Sequence, residues 1–401
     1  MKFTTRALHT SYIPTQSDGA IIPPLHLTST FAYANQGGVK PEGMSDQEWQ
    51  KSRQQRFGND GWYDYSRTIN PTRQILEDTI AALDGNKYGL AYSSGSAVLV
   101  NLIETLKAGE KVLFSTDVYG GTYRYIVRVA NPQGLGYEIA DLTDLNLVET
   151  KLKTGTIRLV WLETPTNPML KVTDIAALAK LVHKYNALLI VDNTFASPIL
   201  QQPSQLGADI VVYSTTKYIN GHSDSVGGAL TLSDDKLYTQ LKFIQNSIGA
   251  ILSPFDSWLT LRGLRTLELR MERHAKNADA IVPYLQKHPK VAAVYYPGSH
   301  SKDQAEIVKK QMSHPGGMVS LELMPGADMH TFFKGLKLIR LAESLGGVES
   351  LIDHPASMTH GSIPKEERIK IGLKDELMRL SIGIENSEDL IEDLSNALHQ
   401  A

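Results

Sequence analysis

The amino-acid sequence predicts an α/β protein in which a mostly parallel central sheet is followed by a smaller carboxyl-terminal α+β domain. Two observations predict it. From about residue 88, short β-rich apolar runs alternate with helical stretches: YGLAY (88–92), KVLFS (111–115), IRLVWL (157–162), ALLIV (187–191), DIVVY (209–213) and GALTL (228–232). Strand–helix–strand units leave that trace. After about residue 255 the alternation stops, and a long helical run gives way to mixed strands and helices.

Taken in order, the first 65 residues show little periodicity, several prolines and a polar loop from about Gln36 to Asp60. A loop of that length is functional, disordered or docked, and docking onto a second subunit is one possibility. Between the central strands, SAVLVNLIETLKAG (96–109) and DIAALAKLVHKYN (174–186) repeat apolar residues three and four apart. They read as helices covering both faces of a parallel sheet. Next comes DSWLTLRGLRTLELRMERHAKNADAIVPYLQKH (256–288), then strands VAAVYY, MVSLELM and LMRLSIGI with helices MHTFFKGL and EDLIEDLSNAL. These shifts divide the chain at 1–62, 63–255 and 256–401. Arg262, Arg265, Arg270 and Arg273 alternate with Glu268 and Glu272 in the long run, which reads as a solvated or interdomain face rather than a nucleic-acid patch.

The composition excludes several function classes. With 401 residues, 42% hydrophobic and 21% charged, and a formal net charge of −3, the chain has no electrostatic reason to seek nucleic acid or an anionic membrane. Small neutral or zwitterionic substrates fit better. The absence of cysteine removes disulfides, thiolate nucleophiles and cysteine-held zinc or iron–sulfur clusters, and no metal site is expected. MKFTTRALHTSY has no apolar signal-peptide core, and runs such as ALLIV are too short to span a bilayer, so a cytoplasmic location is expected.

Four strand ends carry the chemistry. DIVVY runs into Ser214, Thr215, Thr216 and Lys217, where open α/β sheets hold their ligands. A lysine there is partly desolvated, which lowers its amine from about 10.4 toward the range useful for nucleophilic and proton-shuttling work. ALLIVD places Asp192 after four apolar residues, where a cationic ring nitrogen would partner it. IRLVWLETPTNP offers Glu163 and Asn167 beyond a third strand, and Pro165 and Pro168 fix that loop's direction. YGLAYSSGSAV joins a strand to a helix through Ser93, Ser94, Gly95 and Ser96, whose free amides suit a phosphate. Each has an ordinary alternative: a solvated lysine, a capping aspartate, a plain helix cap. Together they supply the handles of pyridoxal 5′-phosphate, namely a lysine that condenses with its aldehyde, an acid for its ring nitrogen and a cradle for its phosphate.

Those residues lie in stretches that resemble the cystathionine γ-synthase/γ-lyase group of pyridoxal-phosphate enzymes, over nearly the whole chain. They are YSRTINPTR (65–73), SSGSA (93–97), DVYGGTYRY (117–125), ETPTNP (163–168), VDNTFASP (191–198), YSTTKYINGHSD (213–224), SPFDSWLTLRGLRTLELRM (253–271), LAESLGGVESLIDHPASMTH (341–360) and MRLSIGIE (378–385). The resemblance implies the aspartate-aminotransferase-like fold, fold type I of these enzymes, and pyridoxal 5′-phosphate as cofactor. It implies Lys217 as the covalent lysine and proton carrier, Asp192 on the ring nitrogen, Tyr119 stacked on the ring, and Asn167 with Glu163 near the ring oxygen and substrate edge. The phosphate is then held by Gly95, Ser96, Ser214 and Thr216, and by Tyr65 and Arg67 of a neighbouring subunit. Read alone, Tyr65 and Arg67 form a surface turn. Residues 1–62 become an arm contacting the neighbour, 63–255 the cofactor domain and 256–401 the small domain, in a homodimer at minimum and a homotetramer in the usual case. Arg379, otherwise an interstrand charge pair, would grip the substrate α-carboxylate with help from Ser344.

Within that group, an acid at Glu343 and a glycine at Gly121 speak against methionine γ-lyase. The reading preferred from sequence is cystathionine γ-lyase, releasing cysteine, 2-oxobutanoate and ammonia. Cystathionine γ-synthase, cystathionine β-lyase and, from another class, a cofactor carrier without turnover stay open. Residues 35–62 are longer than the family's usual spacing, and substrate choice is expected to depend on them.

Overall fold

The computed structural model describes residues 1–17, 19–32, 42–45, 63–359, 361, 366, 368 and 372–401. The polar loop of 36–60 and the insertion of 35–62 therefore lie, apart from 42–45, outside the described residues, and His360 does also.

Seven strands form the central sheet: β1 (Tyr88–Tyr92), β2 (Lys111–Ser115), β3 (Gly136–Ala140), β4 (Ile157–Glu163), β5 (Leu188–Asp192), β6 (Ile210–Tyr213) and β7 (Gly228–Leu232). Their order is β1-β7-β6-β5-β4-β2-β3. The ladders among β2 to β6 are parallel, as the alternating pattern implies. β7 is the exception, running antiparallel to β1 and β6. Successive residues of one strand enter different cores, with Val211 and Tyr213 in one cluster and Ile210 and Val212 in another. Both faces are buried, which is why these strands read as continuous apolar runs.

Local chemistry fixes the covering helices. Asp174 caps Ile175–Lys184 by accepting the Ala177 amide at 2.9 Å. Asn70 caps Pro71–Asp84, with proline at the first position and Gly85, at φ 73°, ending it. A second sheet, in the order β10-β11-β12-β9-β8, gathers β8 (Val291–Tyr295), β9 (Met318–Leu323), β10 (Arg340–Leu341), β11 (Leu351–Asp353) and β12 (Leu377–Ser381). It packs on the helices Met329–Gly335 and Ser387–Gln400 through its own core.

Two features depart from the sequence reading. A helix, Phe3–His9, forms in the supposedly aperiodic amino-terminal stretch. The long run after residue 255 is two helices, Pro254–Leu264 and Leu267–Lys287, broken at Arg265 and Thr266. Of the two faces offered for that run, solvated or interdomain, Arg270 takes the second, being 4% exposed. Its guanidinium faces backbone carbonyls of the segment that follows β6.

Candidate active site

The carboxyl ends of β1, β4, β5 and β6 meet at one edge of the central sheet, and a cavity of about 430 Å³ opens there, within the size range of cofactor sites. Its lining includes Gly95, Ser96, Tyr119, Glu163, Asn167, Asp192, Ser214, Thr216, Lys217, Glu343, Ser344 and Arg379. Twelve of the fourteen residues proposed from sequence are thus in one place.

Glu163 and Asp192 close neighbouring parallel strands and are paired in register, so their carboxyls share a face. Asp192 Oδ1 accepts the Thr194 amide at 3.0 Å and the Thr194 hydroxyl at 2.5 Å. Burial nevertheless pushes Asp192 up to about 6. Both Glu163 oxygens accept the Tyr119 amide, at 3.1 and 2.9 Å. Burial, and then the Asp192 carboxylate, drive Glu163 well above the usual carboxylate range. Glu163 thus keeps its proton longer, and Asp192 carries the charge. Thr194 Oγ1 also accepts the Ser214 amide at 2.8 Å, tying the end of β5 to the start of the lysine turn.

Lys217 is enclosed, and its Nζ donates to Ser344 Oγ at 2.8 Å. Burial, then the Arg379 guanidinium, lower the amine to about 8, while Asp353 and Glu343 act against them. An amine so placed is half neutral near pH 8, as nucleophilic and proton-carrying work requires.

On the same cavity the helix Gly95–Ile103 begins, its Ser94 cap accepting the Ala97 amide at 3.1 Å. The first amides of a helix have no acceptor within it, so those of Gly95 and Ser96 are available to an anion beside Ser214 and Thr216. The approach is close. A Cβ at Gly95 would lie 3.3 Å from Ser214 Cβ, and one at Gly228 would collide with the Ser94 carbonyl. An anion cradle, an ionised buried carboxylate and an amine lowered by burial, all lining one cavity, fit pyridoxal 5′-phosphate.

Arg379 is 2% exposed. Its Nη1 donates to Asn167 Oδ1 at 2.7 Å and its Nη2 to the Ser344 carbonyl at 3.2 Å and to Asp353 Oδ2. Asp353 is its register partner across β11 and β12, so the ordinary alternative of an interstrand charge pair is realised. Among the described residues its buried Nε has no hydrogen-bond partner. Sequence reading missed Asp353, although an acid closing the apolar pair Leu351-Ile352 was a signal. It also missed Thr194 and Phe195, whose ring lies 5.9 Å from the Arg379 guanidinium.

Tyr65 and Arg67 are not brought to this cavity. Tyr65 is 44% exposed, with the Arg67 guanidinium 5.3 Å from its ring, and Arg67 Nε donates to Asn246 Oδ1 at 3.2 Å. The turn that carries them is held from below, where the buried Arg73 donates to the Ser66 carbonyl at 2.7 Å. Among the described residues no three or more His, Cys, Asp or Glu side chains gather as metal ligands, and no helix is long and apolar enough to cross a membrane.

Residues 4–399 match the model of the family described as Cys/Met metabolism PLP-dependent enzymes. Cystathionine γ-lyase of Dictyostelium discoideum is 49% identical over 398 residues, covering 99% of this chain and 97% of that protein. Cystathionine β-lyase of Coxiella burnetii is 45% identical, covering 98% and 97%. A crystal structure of cystathionine γ-lyase from Lactobacillus plantarum, complexed with L-serine, superposes with a TM-score of 0.90 at 43% identity, covering 100% of this chain and 99% of that one.

Proposed function

Because the chain belongs to the Cys/Met metabolism PLP-dependent enzymes, with the fold and cofactor of that family, we propose that it is a cystathionine γ-lyase, with the cavity at the ends of β4 to β6 as its active site. The overall change consumes cystathionine and water and yields cysteine, 2-oxobutanoate and ammonia. The observation that carries the reading is the arrangement of three side chains on one cavity, Lys217, Asp192 and Arg379, in a chain 49% identical to a γ-lyase.

When bound, the cofactor supplies an electron sink for the pair left at Cα. Lys217 would hold the cofactor covalently through its aldehyde, and its amine would carry the proton between Cα and Cβ of the substrate. Ser344, 2.8 Å from the amine, keeps it aimed into the cavity. Asp192, ionised above about pH 6, would pair with the ring nitrogen and favour its protonated form. Tyr119 would cover the ring face. Its backbone is fixed by Glu163, which we therefore assign to placing Tyr119 rather than to direct substrate contact. Gly95, Ser96, Ser214 and Thr216 hold the phosphate. Charge-assisted bonds of this kind contribute about 1.5–3 kcal/mol each. Arg379 binds the substrate α-carboxylate. Asn167 and Asp353 hold its guanidinium in plane before substrate arrives, so little ordering remains to be done on binding.

Glu343 lines the same cavity and would meet the ammonium at the far end of cystathionine, whichever end of the substrate enters first. Cystathionine β-lyase is the second reading, favoured by the 45% identity to the Coxiella burnetii enzyme. Incubation with cystathionine alone separates them: 2-oxobutanoate supports the γ-lyase, and pyruvate with homocysteine supports the β-lyase. We further propose a homodimer at minimum, and a homotetramer of two such dimers, in the cytoplasm. Tyr65 and Arg67, remote from their own cavity, would then complete a neighbour's phosphate site.

A further inference from the structure

Arg270 sits on the helix Leu267–Lys287, outside the cavity lining, yet it is 4% exposed. Among the described residues no carboxylate pairs with it. Its donors go to Tyr218 O at 2.7 Å and Ile219 O at 3.2 Å, to Gly263 O at 2.7 Å and to Thr266 Oγ1 at 3.2 Å. Burial lowers the guanidinium to about 10. A buried cation answered only by neutral oxygens costs more stability than an apolar side chain of like size. What a planar fork offers in return is fixed direction at several acceptors at once.

Two of those acceptors belong to the residues immediately after Lys217. The turn there is closed by Lys217 N–H to Ser214 O at 3.2 Å, Asn220 N–H to Thr215 O at 3.0 Å and Gly221 N–H to Lys217 O at 2.8 Å. Gly221 has φ 70°, and a Cβ there would collide with the Arg270 guanidinium, so only glycine admits the fork. On the other side Gly346, at φ 73°, lets the Ser344–Gly346 turn close on Tyr218, whose amide nitrogen would lie 2.6 Å from a Cβ at 346. Val348 N–H then donates to Gly221 O at 3.0 Å. The lysine turn is gripped from one side by Arg270 and from the other by residues 344–348, whose Ser344 meets the amine itself.

We infer that Arg270 is a positioning residue for Lys217: by fixing the carbonyls of Tyr218 and Ile219 it sets the line along which the amine enters the cavity. The inference rests on the reading of Lys217 as the lysine that captures the cofactor. It is tested with Arg270→Gln, Arg270→Lys and Gly221→Ala. Each is stripped of cofactor and mixed rapidly with pyridoxal 5′-phosphate, while the visible absorption of captured cofactor is followed. Steady-state kinetics with cystathionine and urea midpoints are measured in parallel.

Misplacing a reacting atom by about 1 Å costs up to about a hundredfold, so Arg270→Gln is expected to slow both capture and kcat by about ten- to a hundredfold, with KM within about twofold of wild type. Arg270→Lys should recover part of the capture rate, and Gly221→Ala should reproduce the defect from the other side of the contact. Wild-type capture and kcat in a folded Arg270→Gln would overturn the inference. Should that variant not fold, wild-type rates in Gly221→Ala overturn it equally. Capture by Lys217→Ala at the wild-type rate would remove the reading of Lys217 itself, whatever Arg270 does.

Discussion

Glu163 and Asp192 stand side by side, paired in register at the ends of parallel strands β4 and β5, with both carboxyls on one cavity. Two buried acids so close cannot both ionise freely. Asp192 takes the charge because Thr194 donates to it twice, and Glu163 is left to hold the Tyr119 amide. One pair of strand ends thus sets both the acid proposed for the ring nitrogen and the backbone of Tyr119, proposed to cover the ring.

Asp192→Asn is expected to act in opposite directions on stability and on cofactor. Burial raises the folded value to about 6, above the ~3.9 of unfolded aspartate. Its contribution to stability is therefore full below about pH 4 and lost as pH rises through about 6. Asparagine removes that loss, so the cofactor-free variant should gain about 1–2 kcal/mol at pH 7.5 and nothing at pH 4. Urea unfolding at the two pH values measures it. Cofactor affinity, read by equilibrium dialysis, should fall at least tenfold, since the ring nitrogen loses its ionic partner.

Glu163→Gln keeps an oxygen for the Tyr119 amide and replaces an acid that is already protonated where Asp192 titrates. The acid limb of cofactor retention should therefore stay in place. A limb that moves down would mean that Glu163, and not Asp192 alone, carries charge there.

Arg379→Met leaves Asp353 buried without its partner, a loss of about 3–5 kcal/mol. Adding Asp353→Leu should restore most of that stability, because removing both members of a buried pair costs far less than removing one. Substrate binding should not return. KM for cystathionine is expected to rise by about a hundredfold in the single and double variants alike. Recovery of KM in the double variant would show that Arg379 serves the fold and not the substrate.

Gly228→Ala places a methyl against the Ser94 carbonyl and the Gly95 amide, backbone atoms that cannot swing aside. Destabilisation of about 1–3 kcal/mol is expected. Loss of phosphate affinity should accompany it, because Gly95 moves with its helix. Isothermal titration with inorganic phosphate reads the second effect without any turnover.

Much of this was legible in the sequence because strand ends announce themselves: an apolar run that stops at Asp192, or at Ser214 to Lys217, marks where a parallel sheet opens to ligand. β3 was not legible. GYEIA is a partly exposed edge strand and lacks the apolar density that buried strands must have. The direction of β7 was not legible either, because GALTL is buried along its whole length whichever way it runs. Arg270 read as either solvated or interdomain since Glu268 and Glu272 flank it, and only the tertiary contact with Tyr218 and Ile219 decides between the two. Asp353 and Arg379 lie 26 residues apart, and no local pattern links an acid in one short strand to an arginine in the next.

The most direct measurement is chemical. Cofactor-loaded protein is reduced with borohydride, digested and analysed by mass spectrometry for the lysine that carries the phosphopyridoxyl group. A single modified lysine, Lys217, is expected, with no such product from Lys217→Ala. Modification at another lysine, or a reduced protein that keeps no covalent cofactor, would contradict it.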